Sequence, residues 1–346
     1  MENYMAYEHA VNLWKIVSPV LILLGNAGNI LVVIVLTRKR ARRSSTSVFL
    51  SALAFSDLLA LDTGLLRQWI KYTFADDIRI DHSVFGCRVH WYVVYIVTQY
   101  SSWILTCVTT ERVVSTWFPH QRKKVCNVTL SIIIAIVILV ALCILNSHYL
   151  IGYGDMHTTT GNETVVAKCV PTTPEYDRFI SYAWAWIDLA VYYLIPMLFL
   201  LIGNSLIIFK VLQSRRKFRS RSTVAPNAQG VQARANPVSS LTMSLMLVNV
   251  VFMVCITPIV VYPIGEPFWK VNASDEKLAN MFLIDAIANL LMYVNHSINF
   301  ALYFLSGTVF RNDVKRLLCG SKVAPISSDN RLDAFASRAQ NDNECV

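Results

Sequence analysis

Charged residues are scarce in this sequence, and their scarcity limits what the protein can be. Only 15% of the 346 residues are charged, while 55% are hydrophobic; a soluble globular domain carries about 25% charged residues. The eight cysteines form no C-x-x-C pair, so metal binding has little support. No internal repeat is visible, which disfavours an inverted-repeat transporter. We therefore expect an integral membrane protein.

Seven apolar segments are long enough to cross a bilayer, which takes about 20 residues in a helix. Their approximate bounds are residues 15–37, 46–72, 88–115, 127–150, 180–212, 239–263 and 280–305. We predict an all-α fold, a seven-transmembrane helix bundle over residues 15–319, with an extracellular N-terminus at 1–14 and a disordered cytoplasmic tail at 320–346. Residues 1–12 lack the basic head and apolar core of a signal peptide. The first segment would therefore direct membrane insertion itself.

Lysine and arginine predict the orientation of the bundle. They occur in short runs after segments one, three, five and seven, whereas the alternate loops are mixed or acidic. Basic loops stay in the cytosol, so we predict a multi-pass protein of the plasma membrane with its N-terminus outside and its C-terminus inside. The same pattern explains the net charge of +9 without a nucleic-acid partner. Two glycosylation sequons, at Asn162 and Asn272, fall in predicted outer loops.

The third segment carries more polar side chains than contact with lipid allows. His90, Gln99, Ser101, Ser102 and Thr106 lie within an otherwise apolar stretch. Polar groups in a membrane helix face other helices or a water-filled cavity. We therefore expect this segment at the centre of the bundle, where it can connect an event outside the cell to one inside.

Several short motifs occur in the order typical of one receptor family. They are Gly28-Asn29 in segment one, Asp57 within LSALAFSDLL in segment two, Cys87 and Glu111-Arg112-Val113 in segment three, Pro196 in segment five, Phe252, Cys255 and Pro258 in segment six, and Asn299-Phe300-Ala-Leu-Tyr303 in segment seven. Together they resemble the rhodopsin-like (class A) G-protein-coupled receptors, over the stretch from Gly25 to Cys319. The segment-seven text NHSINFALYFLSGTVFR is similar to that of invertebrate FMRFamide-receptor-like neuropeptide receptors. The resemblance implies an extracellular neuropeptide ligand and a heterotrimeric G protein as the partner.

The sequence also departs from the pattern of this family. Segment four has no tryptophan, and segment seven lacks its usual proline. Ile256 stands where a toggle tryptophan is usual, and Asn204 stands where a tyrosine is usual. These departures concern the activation switch rather than the fold.

The resemblance assigns roles to residues at the mouth and at the middle of the bundle. A disulfide between Cys87 and Cys169 would pin the second outer loop over the mouth. Around Asp57 the family places a sodium pocket and activation network, which here comprises Asn29, Asp57, Ser101, Asn295, Asn299 and Tyr303. His296 stands where a serine is more usual. The alternative is a protonated Asp57 in a water-filled hydrogen-bond network; apart from the sodium ion, no cofactor is expected.

Two cytosolic features complete the expected signalling machinery. By resemblance, Arg112 would pair with the neighbouring carboxylate of Glu111 at rest and would be released on activation to meet the G protein. Residues 308–319 alternate apolar and basic positions at helical spacing, which predicts a short amphipathic helix along the inner membrane face. Cys319, at its end, is a candidate for palmitoylation.

The chemistry of the ligand is argued by exclusion. Val94 stands where monoamine receptors carry an aspartate, and Tyr293 stands where opsins carry a lysine, so neither an amine nor retinal is expected. The remaining candidates are the aromatic, charged and polar side chains in the outer halves of the segments: Arg67, Gln68, Trp69, His90, Tyr95, Gln99, His148, Trp186, Asp188, Tyr262, Asp285 and Asn289. This lining suits a peptide, whose arginine or amide terminus could meet Asp188 or Asp285, while Arg67 could meet a carbonyl or carboxylate.

Three alternatives remain open from the residues alone. A receptor of the same fold could bind a small non-peptide ligand. A seven-helix transporter or channel would need a continuous polar path, whereas the inner halves of segments one, four and five are nearly all aliphatic. An intramembrane hydrolase would need an embedded Ser-His or Asp-Asp set, and the neighbours His296 and Ser297 point to different faces. We therefore do not expect an enzyme.

Overall fold

The computed structural model describes residues 4–38, 44–77, 79, 83–160, 163–222, 237–306, 310, 311, 314 and 317. Within them the chain forms seven long helices, as predicted for an all-α bundle. The helices are α1 (Met5–Thr37), α2 (Ser45–Ala60, continued by Leu66–Phe74), α3 (Val84–Trp117), α4 (Val128–Asn146), α5 (Pro174–Arg178, continued as far as Ile195–Ser222), α6 (Pro237–Trp269) and α7 (Asp275–Ser306). A four-residue helix, Arg122–Val125, lies between α3 and α4.

Helices α2 and α5 change their winding within the bundle. A π-helical turn, Leu61–Leu65, interrupts α2, and two π-helical segments, Phe179–Trp184 and Leu189–Leu194, interrupt α5. A π-helical turn holds more residues than an α-helical turn and is often found at functional sites. Each insertion therefore rotates the following side chains away from the face that a regular helical period would predict.

Six of the seven helices are long and apolar enough to cross a membrane, namely α1, α2, α4, α5, α6 and α7. The remaining one, α3, is 34 residues long and carries the polar side chains noted above. It packs against α2, α4, α5 and α6, and Gln99, Ser101 and Ser102 are among its buried residues. The predicted central position of this segment is thereby confirmed.

Helix α1 begins at Met5, well before the predicted start of the first apolar segment. Aromatic contacts with two other helices explain the extension. The ring of Tyr7 stacks on Phe282 of α7 at 5.2 Å between centroids, and Trp14 stacks on Tyr72 of α2 at 5.9 Å. Hydropathy alone does not register these contacts, because the segment that carries them also contains polar residues.

One β-hairpin departs from the all-α prediction. Strands β1 (Tyr153–Thr160) and β2 (Glu163–Pro171) pair antiparallel between α4 and α5. A disulfide joins Cys169 of β2 to Cys87 at the start of α3, as expected. The cross-link closes a sequence separation of 82 residues, which the chain-entropy model values at about 4–5 kcal/mol. We call the end of the bundle that carries this bond the disulfide end, and the opposite end the Glu111 end.

Beyond α7, four described residues are helical: Phe310, Arg311, Val314 and Leu317. Phe310 and Val314 are buried against the bundle, and Phe310 meets the ring of Phe300 edge-on at 5.9 Å. Their spacing fits the apolar face of the predicted amphipathic helix. The candidate palmitoylation site Cys319 and the predicted tail 320–346 lie outside the described residues.

Close approach of α1 and α7 requires a glycine at position 28. A Cβ atom placed on Gly28 would lie 2.8 Å from the Cβ of Phe300. That neighbour cannot swing away, because a Cβ atom is fixed by its own backbone. The two helices could then accommodate a larger side chain only by moving apart.

We therefore predict that Gly28→Val destabilises the bundle. Overpacking of this kind costs about 1–3 kcal/mol, and it should appear as a lower unfolding temperature of the purified protein in detergent. Ala27→Val is the matched control, because Ala27 is the preceding residue and is exposed. Equal unfolding temperatures for the two variants would contradict the close contact.

Candidate functional site

Asp57 lies at the centre of the bundle and is completely buried. Three side chains from two other helices contact its carboxylate. Ser101 of α3 donates to Oδ1 at 3.0 Å, and Asn299 of α7 donates to Oδ2 at 2.7 Å. The third contact is made by His296 of α7, whose Nδ1 lies 2.7 Å from Oδ1. The carboxylate thus connects α2, α3 and α7 through hydrogen bonds that lipid could not provide.

The remaining residues of the predicted sodium pocket are placed less directly. Asn29 of α1 is buried, but its Nδ2 donates to the backbone carbonyl of His296 at 2.9 Å rather than to Asp57. Asn295 and Tyr303 are buried in α7. The residues of α7 that contact Asp57 are instead His296 and Asn299. Of the six predicted residues, the structure brings Asp57, Ser101 and Asn299 into direct contact. It links Asn29 to them through His296.

A second polar chain, partly buried, lies nearer the disulfide end. Gln99 of α3 donates through Nε2 to Oδ1 of Asp188 in α5 at 2.8 Å. Its Oε1 accepts from Nδ2 of Asn146 in α4 at 2.7 Å. Gln99 and Asn146 have no exposed surface. The sequence indicated Gln99 and Asp188 but not Asn146, whose amide side chain near the end of an aliphatic run was the signal available.

Aromatic rings form a wall around this polar chain. Tyr95 stacks on Tyr149 at 4.6 Å between centroids and meets Trp184 edge-on at 6.0 Å. Trp184 is 3% exposed, whereas the predicted Trp186 is 60% exposed on the outer surface. The structure therefore does not bring Trp186 into the interior. The π-helical segment that ends at Trp184 changes the register of α5, which a regular helical period could not anticipate.

His148, two residues after the end of α4, joins the same aromatic wall. Its ring lies 4.1 Å from that of Trp184, and its Nδ1 is 2.8 Å from the hydroxyl of Tyr176. Rings from α3, from α5 and from the residues just after α4 thus pack into one aromatic surface on this side of the bundle.

The other side of the disulfide end contains the predicted residues of α6 and α7. Asn289 donates through Nδ2 to Oδ1 of Asp285 at 3.0 Å, within α7. Tyr262 of α6 donates its hydroxyl to the carbonyl of Met281 at 3.1 Å. Asp285 is therefore held by a neighbour on its own helix.

Arg67 forms a buried ion pair in the mouth of the bundle. Its Nε lies 2.7 Å from Oδ1 of Asp77, and its second nitrogen contacts Oδ2. Both side chains are less than 10% exposed, and Lys71 adds a second cation at 3.6 Å. Burial by itself would raise the pKa of the Asp77 carboxyl, but the hydrogen bond and charge of Arg67 outweigh it and hold that pKa below its ordinary value.

Further groups with aromatic or cationic character surround this ion pair. Arg79 lies over the ring of Trp91 at 4.4 Å, and burial, followed by repulsion from Arg67, lowers its pKa to about 10. His90 meets Trp91 edge-on at 6.5 Å. Gln68 is partly buried beside Arg67, whereas Trp69 contacts Phe74 at 5.6 Å. Three cationic side chains, Arg67, Lys71 and Arg79, thus gather around Asp77.

The Glu111 end has its own polar cluster. Oε1 of Glu111 accepts hydrogen bonds from Ser45 and Thr46 at the start of α2, each at 2.7 Å. Arg112 donates to the hydroxyl of Thr46, also at 2.7 Å. Both members of the predicted coupling pair therefore meet at Thr46, which ties α3 to α2.

Asn249 links three helices at a level between Asp57 and the Glu111 end. It is fully buried in α6. Its Nδ2 lies 3.0 Å from Oδ1 of Asn204 in α5 and 3.2 Å from the hydroxyl of Thr109 in α3. Asn204 occupies the position where the family usually has a tyrosine. Its contact with Asn249 could not be read from the sequence pattern.

The predicted glycosylation sites differ in what the structure describes. Asn272 is exposed in the turn between α6 and α7, where its backbone adopts a left-handed φ of 52°. Asn162 lies outside the described residues. N-glycosylation occurs at exposed sites such as this turn. Glycosylation of Asn272 stays a prediction.

These features belong together in one family. The family model described as 7 transmembrane receptor (rhodopsin family) matches residues 28–303. The chain therefore belongs to the rhodopsin family of seven-transmembrane receptors and is a multi-pass membrane protein.

Three relatives illustrate the similarity. The FMRFamide receptor of Drosophila melanogaster is 26% identical over 309 residues, which cover 83% of this chain and 50% of the relative. The growth hormone secretagogue receptor type 1 of Homo sapiens is 24% identical, covering 86% of this chain and 78% of the relative. The neuropeptide CCHamide-1 receptor of Drosophila melanogaster is 22% identical, covering 88% and 60%. The match thus spans about half the length of the first of these receptors.

We predict that Asp77→Asn destabilises the disulfide end. Removing one partner of a buried ion pair costs about 3–5 kcal/mol, because the other charge stays buried without its counter-charge. The unfolding temperature of the purified receptor at neutral pH should fall accordingly. Glu175→Gln, a charge removal at an exposed position near the same end, is the control and should have little effect.

The pH dependence of the stability that this ion pair contributes follows from the lowered pKa of Asp77. Because the pKa of Asp77 is lowered on folding, its contribution is complete above the unfolded value of about 3.9 and is lost as the pH falls through the lower folded value. The difference between wild type and Asp77→Asn should therefore shrink in strong acid. A constant difference from neutral to strongly acidic pH would count against the ion pair.

Proposed function

We propose that this protein is a receptor that binds an extracellular peptide and activates a heterotrimeric G protein. The observation that carries the proposal is the polar chain of Asn146, Gln99 and Asp188 behind an aromatic wall at the disulfide end, in which Asn146 and Gln99 are fully buried. Polar groups inside a membrane bundle are costly and mark a functional site. Two of the similar proteins are named for peptides, FMRFamide and CCHamide-1.

The charge pattern of the loops supports the orientation that this function requires. Basic runs follow α1, α3, α5 and α7 in the sequence, which by the positive-inside rule favours a cytosolic Glu111 end. The disulfide end would then face the oxidising exterior. In this orientation the N-terminus is extracellular and the C-terminus is cytoplasmic.

The mouth of the bundle offers complementary groups to both ends of a short peptide. Asp188 and Asp285 could accept hydrogen bonds from an arginine side chain or from a terminal amide. Arg67 could donate to a carbonyl or a carboxylate, at the cost of its contact with Asp77. A peptide that makes both contacts would bridge α2, α5 and α7.

Activation would shift a population between two arrangements of the helices. An agonist that binds one arrangement better moves the equilibrium by its differential affinity. Pro258 lies inside α6 and removes one backbone hydrogen bond, which makes that helix easier to bend there. Movement of α6 would expose the cluster around Arg112 to a G protein.

A ligand screen tests the proposal directly. Cells that express the receptor would be exposed to a neuropeptide library, amidated peptides first, with second-messenger production as the readout. A response to a peptide that untransfected cells lack is the expected result. A response confined to non-peptide metabolites would replace the peptide with a small ligand, and solute flux without second-messenger production would replace the receptor with a transporter.

We predict that Arg112→Ala abolishes G-protein activation while leaving surface expression and much of the agonist binding intact. The guanidinium is the group proposed to meet the G protein, and its loss does not touch the disulfide end. Thr110→Val, two residues earlier at an exposed position of α3, is the control and should signal normally. Intact signalling from Arg112→Ala would contradict the coupling role.

We also predict that Asn249→Ala raises basal G-protein activation. The variant removes the contacts that hold α6 against α3 and α5, and a change of about 1–2 kcal/mol alters a two-state ratio by roughly 5–30-fold. The measurement is agonist-free nucleotide exchange in membranes with matched receptor levels. Ser205→Ala, which removes only a bond to the carbonyl of Leu201 within α5, should leave basal exchange unchanged.

An unchanged basal rate in Asn249→Ala, at normal expression, would show that Asn249 does not hold the resting arrangement.

A further inference from the structure

Sodium, the ion that the resemblance assigns to the Asp57 pocket, fits the residues around Asp57 poorly. Hard cations are held by oxygen ligands whose lone pairs point inward. The groups that contact Asp57 are a hydroxyl, an amide nitrogen and an imidazole nitrogen, from Ser101, Asn299 and His296. Only the hydroxyl can turn an oxygen toward a cation while keeping its position.

The imidazole of His296 occupies the side of the carboxylate that an ion would need. Its Nδ1 lies 2.7 Å from Oδ1 of Asp57, and both side chains are at most 1% exposed. At this distance the two atoms form a hydrogen bond. A cation could enter between them only if the ring were displaced from a fully packed site.

The backbone of His296 is fixed as well as its ring. Nδ2 of Asn29 donates to the carbonyl of His296 at 2.9 Å, which ties this turn of α7 to α1. The hydroxyl of Ser297, the next residue, donates to the carbonyl of Tyr293 at 2.8 Å within α7 and lies 3.2 Å from the carbonyl of Leu21 in α1. The ring is therefore held against Asp57 from both its main chain and its surroundings.

Two buried oxygens nearby argue in the opposite direction. Oδ1 of Asn29 and Oδ1 of Asn299 make no hydrogen bond within the described part of the chain. The contact atom of Asn299 is nevertheless its nitrogen. Turning that amide toward an ion would remove the hydrogen bond to Oδ2 of Asp57 without moving the imidazole. The oxygens of Asn29 and Asn299 therefore do not make the pocket a sodium site, because nitrogen atoms of His296 and Asn299 still occupy the contacts to Asp57.

We propose that His296 is the built-in partner of Asp57 in place of a sodium ion, so that the stability of this receptor does not depend on sodium. The ring supplies from within the chain the contact that a mobile ion would otherwise make. The inference concerns the bundle alone and does not depend on which ligand or G protein the receptor uses.

The test compares unfolding temperatures of the purified receptor in sodium, potassium and choline chloride at equal ionic strength. The wild type should unfold at the same temperature in all three salts. His296→Ser, which replaces the ring with an oxygen ligand and opens space beside Asp57, should gain a rise of roughly 2–4 °C in sodium alone. The double variant His296→Ser with Asp57→Asn should lose that rise, which places the ion at Asp57.

Two results would overturn the proposal. A sodium-specific rise in the wild type would show that the ion binds despite the histidine. A well-folded His296→Ser without a sodium-specific rise would show that the histidine is not what displaces the ion. If the serine variant does not fold, His296→Asn provides an oxygen ligand with less loss of volume, and the same criterion applies to it.

Discussion

The buried carboxylate of Asp57 is the constraint on which the arrangement of the bundle depends. A charge at mid-membrane costs about 3 kcal/mol or more unless it is satisfied, and lipid offers no hydrogen-bond donors. Donors reach it from Ser101 on α3 and from Asn299 on α7, while His296 closes the third side. Helices α2, α3 and α7 must therefore stay in register for the carboxylate to remain paired. Asn29 extends the same tie to α1 through the carbonyl of His296.

Similar polar ties recur at other levels and connect the remaining helices. Gln99 joins α3 to α4 and α5 near the disulfide end, and Asn249 joins α6 to α3 and α5. Apolar packing against lipid has little preference for one helix register over another, because lipid tails are as apolar as the side chains. The hydrogen bonds thus specify the arrangement of the helices. Because Gln99, Ser101 and Thr109 all lie on α3, a movement of that helix would change all of these bonds together.

The sequence predicted the parts of this structure that follow from hydropathy and motif order. The seven helices, the central position of α3 and the Cys87–Cys169 bond are of this kind. It did not predict that Trp184 rather than Trp186 faces inward, because π-helical segments shift the register of α5. It also missed Asn146, Asn249 and the pairing of Arg67 with Asp77. Each of these depends on which residues of distant segments meet, and a single sequence does not contain that information.

The central claim is that protein donors alone satisfy Asp57, with His296 in direct contact. An experimental structure of the receptor in sodium chloride, at a resolution that shows ordered ions, tests it most directly. We expect the imidazole Nδ1 within hydrogen-bond distance of the carboxylate and no ion between them. An ion bound to Asp57 with oxygen ligands, and the ring turned aside, would contradict the account.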